Sequence, residues 1–181
     1  SSDLSPLMAK VKAESPDAVL DFLTGPVHIV EAKGAASVQL GVPIVQTTDV
    51  TSVFRKSAAE YPNLYFVTLP PQGYPSINDA KLKAANADLV KAYKGDKDGI
   101  AQVAYGWDAV HVIAAAIEKS HAVTGVKLRD ALETLSFQGT LSAFAYSADD
   151  HSGEKTVANP NAIGHFVNDK LEVVYWADGS K

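Results

Sequence analysis

Residues 5–49 run twice through one cycle: a segment with helical hydrophobic spacing, a short apolar run, then a polar loop. Leu4, Leu7, Met8 and Val11 recur at helical spacing, so the first segment reads as a helix with one apolar face. Ser5 is expected to cap it, Pro6 fits its first turn and Pro16 ends it. Residues 17–23 (DAVLDFL) are short and mostly apolar, the expected look of a strand buried on both faces. Thr24, Gly25 and Pro26 break that run. A second helix carries Ile29, Ala32, Ala36 and Leu40 on one face, and Gly41 stands where a helix C-terminus favours glycine. Residues 42–45 (VPIV) are the next strand, with 46–49 (QTTD) as the loop at its carboxyl end. Two strands joined through a helix dictate a parallel βαβ unit with a right-handed crossover. Ligands of such sheets bind outside the carboxyl ends of the strands. Residues 24–28 and 46–49 are therefore expected side by side at one rim.

Downstream, residues 51–59 read as a short helix capped by Thr51 or Ser52, and 64–68 (LYFVT) as a third strand. Residues 69–75 hold three prolines and one glycine, which predicts a stiff connector without regular structure. Ser76 is expected to cap a helix over 77–93. Residues 100–119 form the most apolar helix, with Ile100, Val103, Trp107, Val110, Ala114 and Ile117 as its main stripe. Apolar residues on further sides predict burial between neighbours. An amphipathic helix over 126–135, a strand over 140–146 and a polar loop over 147–161 follow. Residues 162–167 and 171–176 read as a hairpin, since Asn168 and Asp169 tolerate the positive φ of a tight turn.

With 46% hydrophobic and 20% charged residues, the 181-residue chain has the composition of a folded domain rather than a disordered one. Its net charge of -5 argues against a nucleic-acid partner held by a broad basic surface. The absence of cysteine excludes a disulfide scaffold and a thiolate zinc site. No apolar run approaches the roughly 18 residues of a membrane helix.

The order and spacing of these features resemble the second lobe of periplasmic solute-binding proteins, the group typified by the leucine/isoleucine/valine-binding proteins of ABC importers. The resemblance rests on D-x-S-P-x-x-x-K-x-K from Asp3, then SPDAVL at 15–20, GVPIV at 41–45 and the T-x-D loop ending at Asp49. It continues through YGWDAV at 105–110, KLRDAL at 127–132 and FQGTL at 137–141. It implies an α/β fold, a parallel sheet flanked by helices, with residues 1–70 and about 162–181 in an incomplete second lobe. Residues 71–161 would be the crossover segment returning to the first lobe. Family members are close to double this length, so the resemblance also implies a fragment that lacks a first lobe and a removed signal peptide.

Among candidate residues, Gly25, Val27 and His28 lie in the first rim loop and Thr48 and Asp49 in the second. His28 is expected to donate to a ligand carboxylate, to stack on an aromatic ligand, or to face water at the helix start. An acidic residue near the Asp49 position binds the ligand amino group in the resembled family; helix capping is the alternative role. Gln102 and Tyr105 open the apolar helix, where the family touches its ligand from across the cleft. Tyr74 would shape the cleft mouth or cover the hinge. The cluster at 149–153 (DDHSG) contains triad residue types, but five consecutive loop residues rarely converge as a triad must. His111 is expected as a packed, hydrogen-bonded core residue, while His121 and His165 carry no signal. Nothing in the spacing of Glu14, Asp17, Asp21, Glu31 and Glu60 places two carboxylates across a pocket. Neither a catalytic site, a metal site nor a cofactor is expected.

The resemblance implies a periplasmic, non-enzymatic binding component that closes two lobes on an amino acid or small carboxylate and hands it to ABC permease subunits. Pro26 and Val27 stand where amino-acid binders often present an aromatic or polar residue, which leaves aromatic and aliphatic carboxylates open. Alternatives are a ligand-sensing domain of the same fold, or a fragment that self-associates through the face the absent lobe should cover and binds nothing.

Overall fold

The alternation over residues 5–49 folds as a parallel β–α–β unit in the computed structural model, which describes residues 3–47, 54–153, 161–177 and 179–180. The elements run α1 (Ser5–Ala13), β1 (Val19–Leu20), α2 (Val27–Ser37), β2 (Ile44–Gln46), α3 (Arg55–Glu60), β3 (Leu64–Thr68), α4 (Pro70–Gly73) and α5 (Ala80–Ala92). They continue with α6 (Ile100–Ser120), α7 (Gly125–Leu132), β4 (Ser136–Gln138), β5 (Ala143–Ala145), β6 (Ala162–Val167) and β7 (Lys170–Trp176). The chain divides into two compact units, Ser1–Thr68 with Asn161–Lys181, and Leu69–Pro160.

In the first unit a five-stranded sheet has the order β1-β2-β3-β6-β7. β1, β2 and β3 are parallel, with Val19 opposite Ile44 and Ile44 opposite Leu64. The β6–β7 hairpin joins β3 antiparallel, and its turn residues Asn168 and Asp169 have φ of 48° and 64°, as the turn chemistry predicts. Alternation puts Ile44, Leu64 and Phe66 inward, where Met8 of α1, Ala32 and Ala35 of α2 and Ala58 of α3 pack on them. Gly34 lets α1 and α2 approach closely, since a Cβ there would lie 3.0 Å from the Leu4 backbone carbonyl carbon. The α/β class with a parallel sheet and packed helices is as expected.

The first apolar run departs from expectation. Only Val19 and Leu20 pair as strand, and Leu20 and Phe22 are 67% and 82% exposed. β1 is the edge strand, so its apolar residues lack a neighbour on one side and alternate with a buried Asp21. Ser5 does not cap α1 with its side chain; its N–H instead donates to Asp3 Oδ1 at 2.9 Å. The caps expected at Thr51 or Ser52 lie outside the described residues.

In the second unit three buried polar side chains hold irregular backbone. Residues 70–73 form one helical turn, because Pro70 and Pro71 occupy first-turn positions that need no N–H donor. Gln72 accepts the Leu69 N–H at 2.9 Å and donates to the Asp98 carbonyl at 2.7 Å. Asp79, not Ser76, caps α5 by accepting the Leu82 N–H at 2.7 Å. Asn86 donates to the carbonyls of Leu82 and Thr140. Asp108 accepts from the Thr140 N–H, the Thr140 hydroxyl and the Leu141 N–H, all within 2.9 Å. That turn leads from β4 into β5, so Thr140 is turn rather than strand.

The buried line of α6 is Ile100, Ala101, Ala104, Asp108, Val112 and Ala116, rotated from the expected stripe. Val103 and Val110 face outward, because the small residues and Asp108 make the close contacts. His111 is exposed rather than core, with Nδ1 2.8 Å from the Trp107 carbonyl. By length and composition alone, Lys97–Ser120 would suffice to cross a membrane, although Gln102, Asp108 and His111 interrupt its apolar sequence.

Candidate functional site

The carboxyl ends of β1 and β2 build the site. The ladder runs one residue past β1, since the Asp21 N–H donates to the Val45 carbonyl at 2.9 Å. Asp21 Oδ1 then accepts the Leu23 N–H at 2.6 Å, which turns the chain outward. Gly25, at φ 65°, reverses it into α2, a conformation that strains any residue with a Cβ. Thr47 donates its hydroxyl to the Leu23 carbonyl at 2.9 Å and ties the second rim loop to the first. Leu20 and Phe22 share one face of the strand end, and Leu23 and Val27 are also exposed, which gives the rim an apolar lip.

Beneath the lip lies a buried polar cluster. His28 is 1% exposed, so it neither faces water nor reaches a solute from the rim. α2 turns His28, Glu31, Ala32 and Ala35 to one buried face, and His28 and Glu31 ride that face with the core alanines. His28 Nδ1 lies 2.6 Å from Asp21 Oδ2, and the Phe54 ring meets the imidazole edge-to-face at 5.6 Å. Gln46, the last residue of β2, points inward by strand alternation and donates Nε2 to Glu31 Oε2 at 2.9 Å. Burial pushes the Glu31 carboxyl up to about 8, reinforced by its hydrogen bond with Asp21 and that neighbour's charge, and opposed by the Gln46 amide. Among the described residues, His28 Nε2 and Gln46 Oε1 are buried without a hydrogen-bond partner.

Sequence spacing did not place any two carboxylates together, yet Asp21 and Glu31 meet in this cluster. Two signals pointed to it: Asp21 interrupts an apolar run, and His28 and Glu31 sit three apart on a helix that also carries the core alanines. Gly25 is half-buried in the rim loop and Val27 is exposed at the start of α2. Thr48 and Asp49 lie outside the described residues.

Gln102 and Tyr105 belong to the second unit, where both are exposed on the first turns of α6. Tyr105 lines a cavity of about 560 Å³ with Asp108, Val112, Leu132, Phe144 and His151. The cluster at 149–153 makes no triad. Ser152 donates its hydroxyl to Asp150 Oδ1 at 2.6 Å within a local turn, while His151 Nε2 instead faces Glu133 at 3.2 Å. Tyr74 is half-buried.

A family model described as periplasmic binding protein matches residues 1–158. No curated protein matches the chain. An extracellular ligand-binding receptor from Rhodopseudomonas palustris HaA2 superposes with a TM-score of 0.80 at 18% identity, over 96% of this chain and 52% of its own. A solute-binding protein of an ABC transporter from R. palustris, in complex with benzoate, gives a TM-score of 0.65 at 21% identity, over 98% and 47%. A leucine-binding protein from Thermotoga maritima MSB8 gives 0.70 at 18%, over 96% and 48%. The chain spans about half the length of these structures, and at such identities the likeness is one of fold.

Proposed function

The chain belongs to the periplasmic binding protein family, with the type I fold of its leucine-binding members, and on that premise we propose that it is part of an extracytoplasmic solute receptor of an ABC importer. The solute is a small carboxylate with an apolar body, aromatic or aliphatic, a class that includes branched-chain amino acids. The observation that carries this reading is the apolar lip of Leu20, Phe22, Leu23 and Val27 at the carboxyl ends of parallel strands, where α/β sheets bind ligands. The benzoate complex and the leucine-binding protein among the similar structures are consistent with such a solute.

The first unit is assigned to the second lobe, residues 1–70 and about 162–181, and residues 71–161 to the crossover segment of the first lobe. The unit boundaries at Thr68 and Asn161 support that division. Gly25 and Val27 are assigned to the solute wall, with Thr48, Asp49, Gln102 and Tyr105 as further contacts. Buried His28 supports the loop from below rather than touching the solute. Lobe closure, the motion the family implies, completes the enclosure and presents the loaded receptor to permease subunits. No step in this role makes or breaks a covalent bond, so the protein acts as a receptor and not as an enzyme.

Isothermal titration with leucine, isoleucine, valine, benzoate and short aliphatic carboxylates tests the reading. One-to-one saturable heat with a member of this set, weakened roughly tenfold or more by Phe22→Ser, is expected. No saturable heat with any of them overturns it.

A further inference from the structure

We propose that Asp21, His28 and Glu31, with Gln46 as fourth donor, form a binding site for one divalent first-row transition-metal ion, and that Zn²⁺ suits the donor set best. One ligand atom from each of the first three lies within 4.8 Å of the others. They come from two elements that packing already fixes: the residue just past β1, and two positions one turn apart on α2. Imidazole nitrogen with carboxylate oxygens is a donor set that zinc accepts in tetrahedral geometry. Donors of such a site stand roughly 3.4 Å apart at bonds of about 2.0–2.1 Å, so Asp21 and His28, now at 2.6 Å, need part by less than about 1 Å.

The fourth donor is the independent sign. Gln46 is 1% exposed, its amide nitrogen lies against Glu31, and among the described residues its amide oxygen has no partner. A half-turn of that amide exchanges Nε2 for Oε1 beside Glu31, which would satisfy the buried oxygen on a cation. Charge balance points the same way. Two buried carboxylates carry two negative charges when ionised, and the imidazole supplies at most one positive charge. A dication bound there would leave the ionised cluster neutral. With Nδ1 as ligand, the imidazole proton resides on Nε2. This site is separate from the solute wall and does not depend on the proposed transport role.

The test is Co²⁺ and Zn²⁺ titration of the chelator-treated full chain, read by visible absorption and by calorimetry. One equivalent of Co²⁺ should give the intense visible bands of four-coordinate cobalt, and one equivalent of Zn²⁺ should displace it. Glu31→Gln is nearly isosteric and removes one anionic ligand. It should weaken binding by at least about tenfold, with its far-UV circular dichroism unchanged. Asp21→Asn gives the same readout should Glu31→Gln fail to fold. Absence of four-coordinate bands from the wild-type chain overturns the proposal whatever the variants do. Stoichiometric binding that survives Glu31→Gln but is lost in His151→Ala also overturns it, since the ion then sits on the exposed His151–Glu133 pair.

Discussion

Two buried carboxylate clusters in this chain have opposite characters. Asp108, on α6, has its oxygens taken up by the Thr140 N–H, the Thr140 hydroxyl and the Leu141 N–H. It even leaves no room for a side chain at residue 139, where a Cβ would lie 2.6 Å from Asp108 Oδ2. Asp21 and Glu31 instead have one imidazole, one side-chain amide and the Leu23 N–H between them, and among the described residues two buried polar atoms around them have no partner. The first cluster is a structural staple that pins a turn to a helix. The second is frustrated, and frustration of this kind persists where something other than stability selects the residues. The contrast separates a carboxylate that the fold needs from carboxylates available for a bound proton or metal.

That contrast breaks most visibly in the pH dependence of stability. In the metal-free chain, Glu31 binds its proton more tightly folded, at about 8, than unfolded, at the ordinary carboxyl value of 4.5. The folded state thus holds more protons between these values, and stability falls as pH rises from about 4.5 to about 8. The loss is of the order of 4 kcal/mol. Urea denaturation at a series of pH values with chelator present should show this slope, and Glu31→Gln should flatten it. A wild-type slope that matches the variant's would place Glu31 in water and erase the contrast.

Asp108→Ala should cost about 3 kcal/mol, because it strands the buried Thr140 N–H and hydroxyl and the part-buried Leu141 N–H. A loss below about 1 kcal/mol in urea melts would mean that this cluster is no staple. Gly34→Ala probes the packing that holds α2, and through it His28 and Glu31, in place. Its Cβ would press on the Leu4 backbone, with an expected cost of about 1–2 kcal/mol by the same measurement. Phe22→Ser should change stability by no more than about 0.5 kcal/mol, as the ring is 82% exposed. A larger loss would show that the lip packs on something and is not a free binding surface.

Local chemistry made much of the fold legible. β3 follows from a β-branched and aromatic run between turn signals, and the β6–β7 turn from the tolerance of Asn168 and Asp169 for positive φ. The parallel βαβ order follows from the alternation of periods over residues 5–49. The exceptions are instructive. Pro70 and Pro71 read as breakers but start a helical turn, since a helix's first N–H groups need no partner. Asp79 rather than Ser76 is the cap because the helix starts only at Ala80. The buried face of α6 departs from the expected stripe because its close contacts fall on alanines and Asp108, which a count of large apolar residues ignores.

By itself, then, the amino-acid sequence determined the α/β class, the succession of β1, β2, β3, β6 and β7 along the chain, and the rim at which the segments after β1 and β2 meet. Each depends on interactions within a few residues or on the chirality of a single crossover. Only the tertiary structure decided that β1 is an edge strand, so that Phe22 faces outward from a run that looked buried. It also decided that Asp21, His28, Glu31 and Gln46 converge. Their separation along the chain carries no information about distance until β1 and β2 pair and α2 packs across them. The polarity of a side chain is a local property, but its burial and its partners belong to the assembled core.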